Sequence, residues 1–202
     1  MGKAYTEEEK QQIREKIWEA GIEMFHSPDA KSLSVRAITA KVGISLGSFY
    51  NFYPDKESLV IDIMKYRVKQ KLEIIKKDFP KSDKDPVKFL NKVICGNFVS
   101  MDEKFSGKEI YRGAYALLLA DFNNVQGIVL EEYAKCLEEL NLYWKKKGIP
   151  AKVEVKGILN LVKGLTGFAE AKGAMDRKYY DELLVAFIKT GVDKYLKVEA
   201  EE

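Results

Sequence analysis

The residues of this 202-residue chain that could do chemistry gather near its N-terminus. Lys31, Arg36, Lys41 and Lys56 form a local basic cluster with Asp55 as the one acid among them, although the whole chain carries a net charge of only +3. Such a cluster attracts phosphates over roughly a Debye length, about 8 Å in physiological salt. Between these cations stand Leu46, Gly47, Ser48, Tyr50 and Asn51, available to face outward into a major groove. Leu46 cannot hydrogen-bond a base edge but can meet a thymine methyl, so sequence readout is expected to rest more on Arg36, Ser48 and Asn51. Duplex DNA is therefore the first candidate partner.

Two short helices must position these groups. Ser34 can cap the first, in which Val35, Ile38 and Val42 recur at helical spacing. Gly43 supplies the positive φ of a sharp turn. Ser45 can cap the second, whose Phe49 and Phe52 point back toward the first. The arrangement is a helix-turn-helix. An ordinary helical hairpin would use the same apolar residues as core and Gly43 as a plain C-cap; the order of the whole string separates the two readings.

That string, Gly43-Ile44-Ser45-x-Gly47-Ser48-Phe49-Tyr50-x-Phe52-Tyr53 through Lys56-Glu57-x-Leu59, resembles the DNA-binding domain of the tetracycline-repressor (TetR) family over roughly the first third of the chain. The resemblance implies that Ser34 and Lys56 hold phosphates, that Arg36 reaches a base or a phosphate, and that Tyr50 bonds the DNA backbone. Gly47 and Ser48 would lie against DNA at the start of the recognition helix. The candidate DNA-binding set is Ser34, Val35, Arg36, Ser45, Leu46, Gly47, Ser48, Tyr50, Asn51 and Lys56. Three positions depart from the family pattern: Leu46 replaces a frequent basic or polar residue, Asn51 a frequent histidine or aromatic, and Thr39 a small alanine that packs the two helices. Thr39 is expected to loosen that contact slightly.

The rest of the chain reads as all-α, about nine helices in total. Thr6-Glu7-Glu8-Glu9 is a capping box opening a first helix with Ile13, Ile17, Ala20, Met24 and Phe25 on its apolar side, ending at His26. A long fourth helix, about 55–78, connects a DNA-binding domain (1–54) to a helical ligand-binding and dimerisation domain (55–202). A polar linker at 81–85 follows, Asp85 caps a fifth helix with Pro86 in its first turn, and Ser106-Gly107-Lys108-Glu109 opens a sixth. A seventh runs to Gly148-Ile149-Pro150, and the last two are expected at about 153–173 and 176–197.

Helix-spaced aromatics at Phe98, Tyr111, Tyr115, Phe122, Tyr133 and Trp144 are the candidate lining of an effector pocket, which the resemblance places among the fifth to seventh helices. Plain core is the other use of such residues. Gly157, Leu161, Gly164, Leu165 and Phe168 mix small and large residues on one helix. Each glycine inside a helix costs about 1 kcal/mol relative to alanine, which asks for a packing reason. Close packing within the monomer supplies one; the resemblance implies another, a homodimer interface made by the last two helices.

Catalytic signals do not accompany these. The chain has no GxSxG, no phosphate-binding glycine loop and no Cys/His pair, which points away from an enzyme. One histidine and two distant cysteines, Cys95 and Cys136, imply no metal and no cofactor. No apolar run approaches a membrane span, and the polar, acidic start is unlike a signal peptide, which predicts a cytoplasmic location without membrane association. The reading is a ligand-responsive DNA-binding regulator, a repressor released from a palindromic operator by a small, largely apolar molecule. Its alternative is an effector-independent, nucleoid-associated or architectural protein on the same fold.

Overall fold

A computed structural model of the chain describes residues 5–26, 33–105 and 125–198. Among them are eight α-helices: α1 (Glu7–His26), α2 (Val35–Val42), α3 (Leu46–Phe49), α4 (Lys56–Lys77), α5 (Pro86–Phe105), α6 (Val125–Lys147), α7 (Val155–Glu170) and α8 (Arg177–Tyr195). Two three-residue strands, β1 (Ala151–Val153) and β2 (Leu196–Val198), flank the last helix pair. The expected helix opened by Ser106 lies outside the described residues. The chain forms two compact units, divided within α4 after Lys69 and again at 104/105 and 128/129. Of the described elements, the first unit thus takes in α1 to α3, the opening turns of α4 and the start of α6 through Ile128.

The first unit is built on local caps. Glu9 N–H donates to Thr6 Oγ1 (3.2 Å) while Thr6 N–H donates to Glu9 Oε2 (2.9 Å), so two amides at the start of α1 are satisfied reciprocally. Its apolar face then buries Ile17, Ala20 and Phe25 against Ile38, Phe49, Leu59 and Ile63. Fully burying side chains of this size contributes about 1.5–3 kcal/mol each, far more than any surface pair here. Thr39 is buried among them with its hydroxyl donating to Arg36 O (3.0 Å). Its polar atom is satisfied within its own helix.

The second unit differs from the sequence expectation in three places. The polar stretch expected as a linker, 81–85, overlaps a 3-10 turn, Phe79–Ser82, whose Phe79 and Ser82 are buried. Ser82 Oγ donates to Phe79 O (2.6 Å) and accepts Trp144 Nε1–H (2.7 Å), so this turn is part of the core. The helix expected from 153 begins at Val155, and the one expected to 197 ends at Tyr195, because β1 and β2 pair antiparallel there. The register sets Ala151 opposite Val198, Lys152 opposite Lys197 and Val153 opposite Leu196. Val153 and Leu196 are buried, and the Asn141 side chain bonds both Val153 N–H (2.7 Å) and Val153 O (2.9 Å). One strand edge is thereby closed by an amide instead of a third strand.

Candidate nucleic-acid interface

The helix-turn-helix owes its geometry to three residues. Ser34, extended at φ −108 and ψ 109, accepts Ala37 N–H on its side chain and starts α2. Gly43 sits at φ +78, where its amide bonds Thr39 O and the chain reverses. Ser45, also extended, accepts Ser48 N–H (3.0 Å) and shares a 2.8 Å hydroxyl contact with Ser48. These caps consume polar groups that would otherwise be left open at two helix starts. The regular part of α3 is a single turn: Gly47 is a poor helix former, and Pro54 obliges Tyr53 to leave the helical region. Residues 50–52 continue as turns, held by Asn51 N–H to Ser48 O (3.2 Å) and Tyr53 N–H to Phe49 O (3.1 Å).

The expected contact residues share the outside of this motif. Ser34, Arg36, Ser45, Leu46, Gly47, Tyr50 and Asn51 are exposed; Val35, Ser48 and Lys56 are half-buried. Phe49, between them, is fully buried and anchors the turn. Tyr50 is 54% exposed and meets the Phe49 ring edge-on at 5.4 Å, so its hydroxyl is held away from the core. Behind the motif, Tyr53 donates its hydroxyl to Asp62 (2.7 Å), and burial with this bond pushes its pKa upward, so the phenol stays protonated.

Electrostatics refine the expected basic cluster. Lys41 is ion-paired with Glu23 of α1, an acid that sequence order hides because it lies on another helix. The pair is exposed, which keeps it weak and exchangeable. Asp55 accepts Ser58 N–H (2.7 Å), and hydrogen bonding to Ser58 holds its carboxyl below the usual range. Asp55 is thus a helix cap, and Arg36 and Lys56 remain as cations beside the exposed face. Lys31 lies outside the described residues.

The other expected sites are placed unevenly. Tyr111, Tyr115 and Phe122 lie outside the described residues, and Phe98 sits on α5 at a position whose side chain is also outside them. Tyr133 is half-buried on α6, with burial pushing its hydroxyl up to about 12. Trp144 is fully buried, its indole N–H used by Ser82. On α7, Gly157, Leu161 and Leu165 face α8 of the same chain: a Cβ on Gly157 would enter the Tyr195 ring, and Leu161 occupies the space beside Gly191. Phe168 is half-buried and stacks on Tyr180 at 5.0 Å and Phe187 at 6.4 Å.

Gly164 remains exposed next to Phe187, and Gly167 faces open space. The α8 residues on that outward side, Tyr179, Leu183 and Phe187, are 60%, 50% and 44% exposed and four residues apart. Sequence reasoning had missed this row. Its signal was an apolar stripe adjacent to the inward one of Tyr180, Leu184, Ile188 and Val192.

Comparison with known proteins agrees with this geometry. Residues 17–63 match a family model described as bacterial regulatory proteins, tetR family. No curated protein gives a significant match. Among solved structures, Thermus thermophilus FadR, a TetR family transcriptional repressor in complex with lauroyl-CoA, is 18% identical over 94% of this chain and 98% of its own, with a TM-score of 0.62. A TetR transcriptional regulator from Rhodococcus sp. RHA1 is 16% identical over 91% and 97%, TM-score 0.58. RolR in complex with resorcinol is 16% identical over 92% and 89%, TM-score 0.57. At these identities the likeness is one of fold, along nearly the whole chain. No described helix is long and apolar enough to cross a membrane.

Proposed function

We propose that this chain, whose residues 17–63 match the tetR family model, is a homodimeric repressor that binds a palindromic operator and is released by a small, largely apolar effector. The observation that carries the DNA-binding half is the helix-turn-helix exterior: both helix starts are capped internally, while Arg36, Leu46, Tyr50 and Asn51 stay exposed. Ser34 and Lys56 supply phosphate contacts, and Arg36, Ser48 and Asn51 read the bases. The exposed row Tyr179, Leu183 and Phe187, beside Gly164 and Gly167, supports pairing of two copies through α7 and α8.

Effector release is supported by analogy with proteins of this fold that hold small organic molecules, resorcinol in RolR and lauroyl-CoA in FadR. Tyr133 is the described aromatic that suits such a wall, and α4, a continuous helix passing from one compact unit into the other, is the coupling element. A hundredfold loss of DNA affinity requires about 2.7 kcal/mol of coupling, and the operator must weaken effector binding by the same factor.

Selection from random duplex DNA followed by gel shift tests the reading. A palindromic site is expected. Arg36→Ala and Tyr50→Ala lose specific affinity, while Lys56→Ala weakens all sequences alike and flattens the log–log salt slope by about 1.8 per dimer, 0.9 for each phosphate contact. Recovery of no palindrome overturns the operator reading. A thermal-shift screen of hydrophobic metabolites, then calorimetry with and without operator, tests release: ligands whose affinity ignores DNA leave the protein an effector-independent, architectural DNA binder.

A further inference from the structure

Wholly within the first unit, α1, the segment after α3 and the start of α4 border an open groove of about 550 Å³, a volume in the range of small-molecule sites. Its apolar lining is Trp18, Phe52, Tyr53, Pro54 and Ile61, three of the five being aromatic. Its charged lining is Arg14, Lys65 and Asp62. The carboxylate is already committed: Asp62 Oδ2 accepts Trp18 Nε1–H (2.8 Å) and the Tyr53 hydroxyl (2.7 Å). The Trp18 ring is itself fixed by stacking on Tyr66 at 4.6 Å and 27°. Neither Arg14 nor Lys65 is ion-paired among the described residues.

We propose that this groove is a binding site for a small planar aromatic carboxylate. Aromatic walls favour a flat ring system through offset stacking and edge contacts. Two cations against one carboxylate, whose Oδ2 already accepts two hydrogen bonds, leave the groove with a surplus of positive charge. The Arg14 guanidinium presents parallel N–H donors that suit a carboxylate bidentately, and Lys65 adds a second charge. A cationic ligand would meet two like charges against the single carboxylate of Asp62. The site is separate from the effector reading, since none of its residues belongs to the second unit.

The probe is 2-naphthoate, with 2-naphthylmethanol as the neutral control. The chain has two tryptophans, so the Trp18 indole N–H resonance of the 15N-labelled full chain is assigned by its loss in Trp18→Phe. Naphthoate should shift that resonance saturably, and the alcohol should bind at least about tenfold more weakly, the loss of one charge-assisted contact. Arg14→Gln combined with Lys65→Gln should weaken naphthoate by about tenfold or more, and Tyr133→Ala in the second unit should leave it unchanged. Ile61→Glu, which places a carboxylate in the groove, should abolish binding. Absence of a saturable Trp18 shift at millimolar naphthoate, or equal affinity in the Arg14/Lys65 variant, overturns the proposal. Gel-shift behaviour on operator DNA does not enter either outcome.

Discussion

Gly43 and Gly157 each stand where two helices meet, but for opposite reasons. Gly43 has φ +78, and nothing lies within 4 Å of the point where a Cβ would stand: its role is conformational. Gly157 is in an ordinary helix, and a Cβ there would enter the Tyr195 ring: its role is spatial. The first need is local, set by a turn between two capped helices, and is legible in the order Val42-Gly43-Ile44-Ser45. The second is set by a residue 38 positions away on α8, and the identity of that neighbour cannot be read from α7 alone.

The largest effect that separates the two is expected from overpacking α7 against α8. Gly157→Leu should destabilise the second unit by about 3 kcal/mol, since neither Tyr195 nor the helix backbone can yield the required space. Tyr195→Ala in the same chain should restore part of the loss, a coupling that chemical denaturation of the four variants measures directly. Additive losses would mean that Gly157 is not there to admit Tyr195.

This contrast explains how much of the molecule was legible. The caps Thr6, Ser34, Ser45 and Asp85, the corner at Gly43 and the core positions Ile17, Ile38 and Phe49 all depend on neighbours within a turn or two or on helical periodicity, and the structure shows each in place. The β1–β2 pair escaped because strands of three residues carry too little alternation to register, and their partners are 43 to 47 positions apart. The packed turn at Phe79–Ser82 escaped because its polarity looked like a linker, while the acceptor it offers Trp144 lies across 62 positions. Glu23 beside Lys41 was hidden for the same reason. The exposed face of α2 and α3 was legible because the core residues there leave only one outward side.

Alkali offers a second separation between the two regions, because both cysteines lie on α5 and α6 in the second unit. Burial pushes the Cys136 thiol up to about 11 from an ordinary 9.0. The folded state therefore holds a proton that the unfolded chain gives up first. Stability from this group is constant below pH 9, falls between 9 and 11, and is gone above. Two pKa units correspond to a loss on the order of 3 kcal/mol. Denaturation midpoints across this range should fall less steeply for Cys136→Ala than for the native chain, whatever the offset from the lost packing. Equal slopes would show that the thiol does not control the decline.

Gly43→Ala should have a smaller effect. A side chain at this φ costs about 1 kcal/mol, with no clash to add. The turn sets the angle between α2 and α3, so affinity for the proposed operator should fall along with stability, while sedimentation behaviour should not change. A variant as stable as the native chain would remove the conformational role assigned to this glycine.

The smallest expected effect is at Gly167, and it sharpens the comparison most. This glycine is helical and exposed, and among the described residues nothing lies within 4 Å of a Cβ there. It therefore has neither of the reasons that hold Gly43 or Gly157 in place. Within a single chain, Gly167→Ala should simply gain helix propensity, up to about 1 kcal/mol. If a second copy approaches α7 at this point, the added methyl instead meets the partner helix and weakens pairing. The two outcomes have opposite signs, and concentration separates them. A chain that pairs here should show a raised midpoint at concentrations where the native protein is monomeric, and a lowered dimer affinity in sedimentation equilibrium. A gain in stability with unchanged pairing would move the proposed interface away from Gly167, toward the row of Tyr179, Leu183 and Phe187 alone.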